Sequence, residues 1–282
     1  MRTPLDFHVR NHRYIPAEFH SHTEYEIYYF HEGQCTYLIG DQIHVLKPGD
    51  LIIMHGLTLH CPKIVQGKPY IRSVIHFEPA YFRPLLDYLN VPYALQPFES
   101  LHNHRINLNA SQQAEMEQLL RRLDECKHGT HNSGLGPARG MLVFLDILLF
   151  VYDCFRQPLQ GKQDFPSHRE ERVQRIVQYI EQHFMQDLHL SDLEEQMHMS
   201  RFYLAKLFRE VTGVTIFEYL YQRRINQAKV LFLTEPERSV TDICYEVGFK
   251  HPAHFSRTFK AKVGLTPEQF RRQAMREASP PV

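Results

Sequence analysis

The sequence predicts an α+β chain of two domains. The N-terminal domain reads as a small antiparallel β-barrel or sandwich with flanking helices, and the C-terminal domain as helical throughout. Three observations predict this. Short runs of β-forming residues recur between positions 14 and 78, cut by Gly and Pro turns. After residue 110 the apolar residues take helical spacing. The last third contains a duplication with a period of 51 residues. A length of 282 residues agrees with two domains at ~150 residues each. The expected boundaries are 1–156, a linker at 157–169, and 170–282.

Residues 26–30, 35–39, 43–46, 51–54 and 70–77 read as strands, with turns at residues 31–33, 40–41 and 47–50. Residues 111–127 place Met116, Leu119, Leu120 and Leu123 on one helical face. Residues 137–155 form a second helix that is apolar around most of its circumference. Such a helix has to be covered on several sides, either within its own domain or in a homodimer interface. Residues 157–169 are polar with Pro and Gly, which marks a linker.

Composition sets limits on function. Lys and Arg number 32 and Asp and Glu 32. A zero total excludes a chain that is basic from end to end. It leaves room for local basic faces, because charge acts on a partner within ~8–10 Å. Five scattered cysteines (Cys35, Cys61, Cys126, Cys154 and Cys244) without a C-x-x-C argue against a disulfide framework or zinc knuckle and fit a reducing cytoplasm. Residues 1–12 are polar and unlike a signal peptide. The most apolar run, residues 141–151, includes Asp146 and falls short of the ~20 residues of a membrane span.

The duplication pairs Leu204 with Phe255, Phe208 with Phe259, Arg209 with Lys260, Gly213 with Gly264, Thr215 with Thr266 and Tyr219 with Phe270. Each copy reads as a short helix, a turn and a second helix that ends at a glycine, which is the helix-turn-helix pattern. Ser200 suits an N-cap, and Gly213 and Gly264 suit the left-handed position after a helix end. Residues 215–233 between the copies form a connector of ~28 Å at 1.5 Å per residue. Successive major-groove faces of DNA lie ~34 Å apart. Charge follows the same division. Residues 170–199 carry two Arg against seven acidic residues, residues 200–229 carry six basic against two acidic, and residues 248–276 carry seven against one. The positive charge therefore sits on the second helix of each copy and just after it.

Gly248-Phe249, Phe255-Ser256-Arg257, Phe259-Lys260, Gly264 and Thr266-Pro267 resemble the C-terminal signature of AraC/XylS-type transcription regulators, and Arg224-Ile225 with Ala228 resembles their connector helix. The resemblance covers about residues 173–273. It implies that Arg201, Phe202, Ala205 and Lys206 face DNA in the first copy, and His251, Ala253, His254 and Arg257 in the second. Arg257 and Lys206 suit guanine edges and Phe202 a thymine methyl. Arg209, Lys250 and Lys260 suit phosphates. Leu204, Phe208, Phe255 and Phe259 read as core. The first copy departs from the pattern at His189, Glu194 and His198, where a Ser191–Glu194 capping box could form instead. The second copy, which keeps a small Cys244 at the helix crossing, is therefore expected to carry more of the sequence specificity.

In the N-terminal domain His20, His22, Glu26, Tyr28 and Phe30 share even numbers, and so share a face if one strand runs through them. His20, His22, Glu26 and Gly33 resemble the first cupin motif, and Pro48-Gly49-Asp50 with His60 the second, with Gly56 where Pro is common. The resemblance implies a cupin-like barrel. Three readings stay open for it. His20, His22, Glu26 and His60 could hold a divalent metal. The same histidines could merely pack at the barrel mouth. Or His20, His22, Glu26, Tyr28, Tyr37 and His60 could line a pocket for a small effector such as a sugar, with no cofactor required.

The expectation is a cytoplasmic transcription regulator, not an enzyme. It binds double-stranded DNA and a carbohydrate-like effector, works as a homodimer with RNA polymerase, and touches no membrane. Activation is expected from the resemblance alone. The alternatives are a metal-dependent cupin enzyme with a DNA-binding appendage, and a constitutive DNA binder whose cupin domain only dimerises.

Overall fold

The computed structural model describes residues 3–14, 17–100, 103–128, 135–157 and 167–278. Its strands are β1 (Leu5–Asn11), β2 (Tyr25–Gly33), β3 (Cys35–Ile39), β4 (Gln42–Val45), β5 (Asp50–Met54), β6 (His60–Ile64), β7 (Tyr70–Phe77) and β8 (Asn103–Asn107). They form a five-stranded sheet in the order β1-β7-β2-β5-β8 and a three-stranded sheet in the order β4-β3-β6. Every ladder is antiparallel.

Alternation along β2 makes two cores. Tyr28 and Phe30 join Tyr37, Ile39, Ile52, Met54 and Tyr70 in one cluster between the sheets. Tyr25, Ile27 and Tyr29 point to the other face and join the flanking helices. Those helices are α1 (Pro79–Tyr88), a 3-10 turn (Pro92–Leu95), α2 (Gln96–Ser100), α3 (Ala110–His128) and α4 (Gly136–Arg156). Phe144 of α4 packs on Phe77 and Phe82, with ring centroids 4.9 and 4.8 Å apart. Most of α4 is thus covered within its own domain, while Leu142 and Leu149 stay exposed.

Three strands escape a reading of sequence pattern. β6 contains Pro62 and is tolerated because it is an edge strand of the smaller sheet. β1, which alternates Leu5, Phe7 and Val9 with polar residues, and the polar β8 lie at the two edges of the larger sheet. β2 also runs on through residues 31–33, where a turn was expected, and only Gln34 separates it from β3. It starts at Tyr25, so His20 and His22 lie before it. His20 forms an isolated bridge with His60.

The C-terminal helices are α5 (His168–His183), α6 (Leu190–Met197), α7 (Arg201–Thr212), α8 (Ile216–Thr234), α9 (Val240–Glu246), α10 (Pro252–Val263) and α11 (Pro267–Ala278). The linker expected at 157–169 falls largely outside the described residues. Ser167, whose side chain accepts from Arg169 N, caps α5 within that span. Leu204, Phe208, Phe255 and Phe259 are fully buried at equivalent places in the two copies.

The departures in the first copy have local causes. Ser191 and Glu194 do not form a capping box; Asp192 accepts from His189 N at 2.8 Å instead. Glu194 turns forward and accepts from Arg201 N at 3.3 Å, which puts a carboxylate at the positive end of the α7 dipole. His198 takes the left-handed conformation of the usual glycine, with φ 53° and ψ 40°, at a cost of ~1–2 kcal/mol.

The two domains share a core. Phe19, Leu38, Ile43, Leu59 and Cys61 of the β-domain pack with Ile176, Leu204, Phe208 and Tyr219 of the first helix-turn-helix. Gln174 of α5 accepts from Ile43 N at 2.8 Å and donates to the Asp41 carbonyl. Gly213 ends α7 with φ 84° and lies so close to Ala17 that a Cβ there would come within 2.8 Å of the Ala17 Cβ.

Arg224, buried on α8, ties the two copies together. It donates to the Phe184 carbonyl at 2.6 Å and the Gln186 carbonyl at 2.7 Å, just past the end of α5. Its guanidinium also lies against Gly248, the turn glycine of the second copy. Arg224→Ala leaves those carbonyls without their donor and is expected to lower stability by ~1.5–3 kcal/mol in urea unfolding. Phe202→Ala, on the exposed face of α7, should stay within ~0.5 kcal/mol of wild type.

Candidate DNA-reading faces, interdomain cleft and barrel centre

The sequence-predicted reading residues divide by exposure. On α7, Arg201, Phe202, Ala205, Lys206 and Arg209 are all exposed, because the buried stripe is Leu204, Leu207, Phe208 and Val211. Arg201 lies over the Phe202 ring, 5.8 Å from its centroid. On and before α10, Lys250, His251, Ala253, Arg257 and Lys260 are exposed. His254 differs: it is half-buried against Tyr221 and Phe249, with ring centroids 5.3 and 5.4 Å away. It supports the turn of the second copy. Lys250 is ion-paired with Asp187 of the α5–α6 loop, and its ammonium holds the Asp187 carboxyl below the usual range, with His189 adding to the effect. Lys206 lies 3.9 Å from Glu210. Both pairs are exposed, so solvent and salt screen them and they hold their lysines only loosely.

A cleft of about 650 Å³ opens between the domains. Residues Glu18 to Glu24 form one wall, and Gln222, Asn226 and Lys229 of α8 with Phe270 and Ala274 of α11 form much of the other. The walls are joined by polar contacts. Ser21 donates to Asn226 Oδ1 at 2.5 Å. Asn226 donates to the Leu57 carbonyl at 2.8 Å, and Gln222 to the Phe19 carbonyl at 2.9 Å. Lys229 Nζ donates to the Ser21 carbonyl at 2.8 Å and to Ser21 Oγ at 2.5 Å. Sequence pattern did not single out Ser21, Gln222, Asn226 or Lys229. On a helix, three of them read as ordinary polar positions until the β-domain is seen to cover them.

The suggested effector set is split by the structure. His20 and His22 line the cleft. Tyr28 and Tyr37 are fully buried between the sheets, and Tyr28 donates to Tyr70 Oη at 3.0 Å. Glu26 and His60 are buried beneath His22. Of the suggested metal set, His22 and Glu26 group with His76, and neither His20 nor His60 belongs to that group. Nε2 atoms of His22, His76 and His60 lie 3.1, 3.2 and 3.5 Å from Glu26 Oε2. His20 is not among them; its Nδ1 lies 3.1 Å from the Glu18 carbonyl. His76 enters because β2 and β7 pair in a register that sets Glu26 opposite it, and pairing register was not legible in the sequence. Burial opposes ionisation of Glu26, but the three imidazoles outweigh it and hold the carboxyl well below its usual range.

Burial pushes the Lys229 ammonium down to about 8, partly offset by Glu24. A folded-state value below the unfolded one of ~10.4 means that the penalty for charging Lys229 is full below pH 8 and lifts as pH rises towards 10.4. The difference in urea stability between wild type and Lys229→Met should therefore shift in favour of wild type across that window, by up to ~3 kcal/mol. A pH-independent difference would contradict the burial of this ammonium.

Comparison with known proteins assigns both halves. A family profile described as an AraC-like ligand binding domain matches residues 3–125, and one described as a helix-turn-helix domain matches residues 193–273. An uncharacterised HTH-type transcriptional regulator of Staphylococcus aureus is 41% identical over 102 residues, which is 36% of this chain and 14% of that protein. The Msm operon regulatory protein of Streptococcus mutans is 31% identical over 140 residues, covering 47% of this chain and 50% of that protein. The chain thus spans half or less of the length of these relatives. Among solved structures, the C-terminal domain of AraT, a response regulator from Geobacillus stearothermophilus, is similar at 32% identity and a TM-score of 0.36, covering 38% of this chain and 88% of that one.

Proposed function

The chain belongs to the AraC/XylS-type transcriptional regulators, and from that premise we propose that it is a cytoplasmic activator that reads a specific DNA sequence under the control of a small polar metabolite. The observation that carries the reading is the pair of exposed, basic second helices, α7 and α10, held on one rigid connector. Nineteen residues of α8 span ~28 Å, close to the ~34 Å between successive major-groove faces. In this reading Arg257 and Lys206 donate to guanine edges, and Arg209, Lys250 and Lys260 clamp phosphates. Among the described residues no helix is long and apolar enough to cross a membrane.

The cleft supports the effector half of the proposal. A metabolite there touches the β-domain and α8 at once, so it binds one interdomain arrangement better than another and shifts their populations. His20, Ser21, Asn226 and Lys229 offer donors and acceptors suited to a carbohydrate. Leu135, Leu142 and Leu149 are exposed at seven-residue steps at the start of and along α4, which supports a homodimer through that helix. RNA polymerase is the partner that activation requires.

The test uses the full chain and a duplex selected by it from a random pool. Affinity for that duplex should fall steeply between 50 and 200 mM salt, and Lys260→Ala should reduce the slope of log affinity against log salt by ~1. Arg257→Ala should cost ~1–3 kcal/mol and relax the preference at one base position. A flat salt response, or a larger loss of specificity from Lys206→Ala than from Arg257→Ala, would overturn the assigned roles.

A further inference from the structure

Hydrogen bonding across the cleft fixes the state of one nitrogen. Asn226 Nδ2 donates to the Leu57 carbonyl at 2.8 Å, so Asn226 Oδ1 is left to accept on the Ser21 side. The Ser21 hydroxyl gives its single proton to that oxygen at 2.5 Å. Ser21 Oγ then accepts from Lys229 Nζ at 2.5 Å, and the Ser21 carbonyl accepts from the same nitrogen at 2.8 Å. Two N–H groups are thus engaged. A neutral amine has two, with a lone pair. An ammonium has a third, and among the described residues it finds no hydrogen-bond acceptor.

Burial acts in the same direction and pushes this amine down to about 8, with Glu24 offsetting part of the effect. At neutral pH such a lysine holds ~100-fold more free amine than an exposed one at ~10.4. Lys229 also lines the cleft of about 650 Å³, beside Gln222 and Asn226 of its own helix and across from His20. A desolvated amine on the wall of a ligand-sized cavity is the arrangement that captures carbonyl compounds as imines.

We propose that Lys229 captures an aldehyde metabolite in the cleft as a reversible imine, and that this step releases α8 from Ser21. The ligand class rests on the effector cleft proposed above and narrows it to molecules with a free carbonyl, such as the open-chain form of an aldose. The nitrogen lone pair bonds to the carbonyl carbon, and the carbonyl π pair moves to its oxygen. That oxygen leaves as water with both amine protons, which solvent in the open cleft relays. No oxidant or reductant takes part. The protons lost are the two that hold Ser21. A neutral imine donates to neither Ser21 oxygen, and a protonated one to at most one. Ser21 keeps its bond to Asn226, so the junction loosens without parting.

The experiment incubates full-length protein briefly with glyceraldehyde, an aldose too short to close into a ring, and with cyanoborohydride, which reduces the imine to a stable amine. Propanal supplies a carbonyl without hydroxyls, and glycerol hydroxyls without a carbonyl. Peptide mapping by mass spectrometry should find Lys229 labelled by glyceraldehyde at least ~10-fold more than the exposed Lys262 of the same cleft at pH 7. Labelling by propanal as well widens the ligand class to aldehydes in general. The excess over a free lysine peptide in the same tube should shrink between pH 7 and 10, as the peptide gains free amine. Glu18, His20, His22 and Glu24 from one wall and Lys262 from the other are the titratable neighbours in the cleft. Without reductant, glyceraldehyde should change affinity for the selected duplex ~5–150-fold in wild type and leave Lys229→Met unmoved. Melting curves confirm that Lys229→Met is folded. Labelling of Lys229 no greater than that of Lys262 with both aldehydes overturns the imine. If glycerol and glyceraldehyde then raise the melting temperature equally, the effector cleft stands without it. Labelled Lys229 with unchanged duplex affinity overturns the release step. If the chain selects no duplex at all, the DNA-binding reading fails while the labelling still decides the imine.

Discussion

The arrangement of the whole molecule depends on the burial of α8. Tyr219, Leu220, Ile225, Ala228 and Phe232 of this helix are buried, and between them they belong to the cores of both helix-turn-helix units. Apolar burial alone would let such a helix slide or rotate, since it is not directional. Direction comes from the polar residues set among the apolar ones. Gln222, Arg224 and Asn226 are each buried and each donate to a backbone carbonyl outside the helix. Two of those carbonyls belong to the β-domain and the Arg224 pair to the end of α5. A helix shifted by one residue would leave several of these groups without partners, at ~1–3 kcal/mol for each.

That division of labour also explains what could be read from the sequence. The repeat of 51 residues was legible because core positions such as Phe208 and Phe259 must be apolar in both copies, and the exposed basic faces followed from the same phase. His254 is half-buried against Tyr221 and Phe249, a packing that no local pattern carries. The polar residues of α8 were illegible for a different reason. Gln222, Asn226 and Lys229 acquire meaning only from carbonyls and a serine about 170 to 210 positions away in the chain. In the β-domain the alternation of β2 gave Tyr28 and Phe30 correctly as one face. The break before Tyr25 removed His20 from it, and strand register, which no local pattern carries, put His76 opposite Glu26.

Charge is distributed with the same economy. Acidic residues of α6 and the loop before it are used at helix ends and across turns: Asp192 caps α6, Glu194 meets the start of α7, and Asp187 holds Lys250. Glu181 accepts from Tyr219 and Arg223, which anchors α5 to α8. These carboxylates of the α5–α6 region therefore serve the scaffold of the helical domain. The outward faces of α7 and α10 carry Arg201, Lys206, Arg209, Arg257 and Lys260, with Glu210 the acidic member, beside Arg169 and Lys206.

The contacts between the domains set how easily α8 can be moved. Beyond the shared apolar patch around Phe19, Leu38 and Leu59, the bridge at the cleft consists mainly of neutral hydrogen bonds through Ser21, Asn226 and Gln222, each contributing ~0.5–1.5 kcal/mol. Lys229 donates to two oxygens of Ser21, and burial disfavours its ammonium there, with Glu24 offsetting part of the effect. The bridge is thus specific in geometry and modest in strength. A rigid, strongly ion-paired junction would hold the reading helices in one spacing whatever occupied the β-domain. A junction with no polar contacts would transmit nothing from it. Segment 18–24 lies between these limits: its backbone is pinned at His20 to His60 and at His22 to Gly56, and the Ser21 hydroxyl reaches α8.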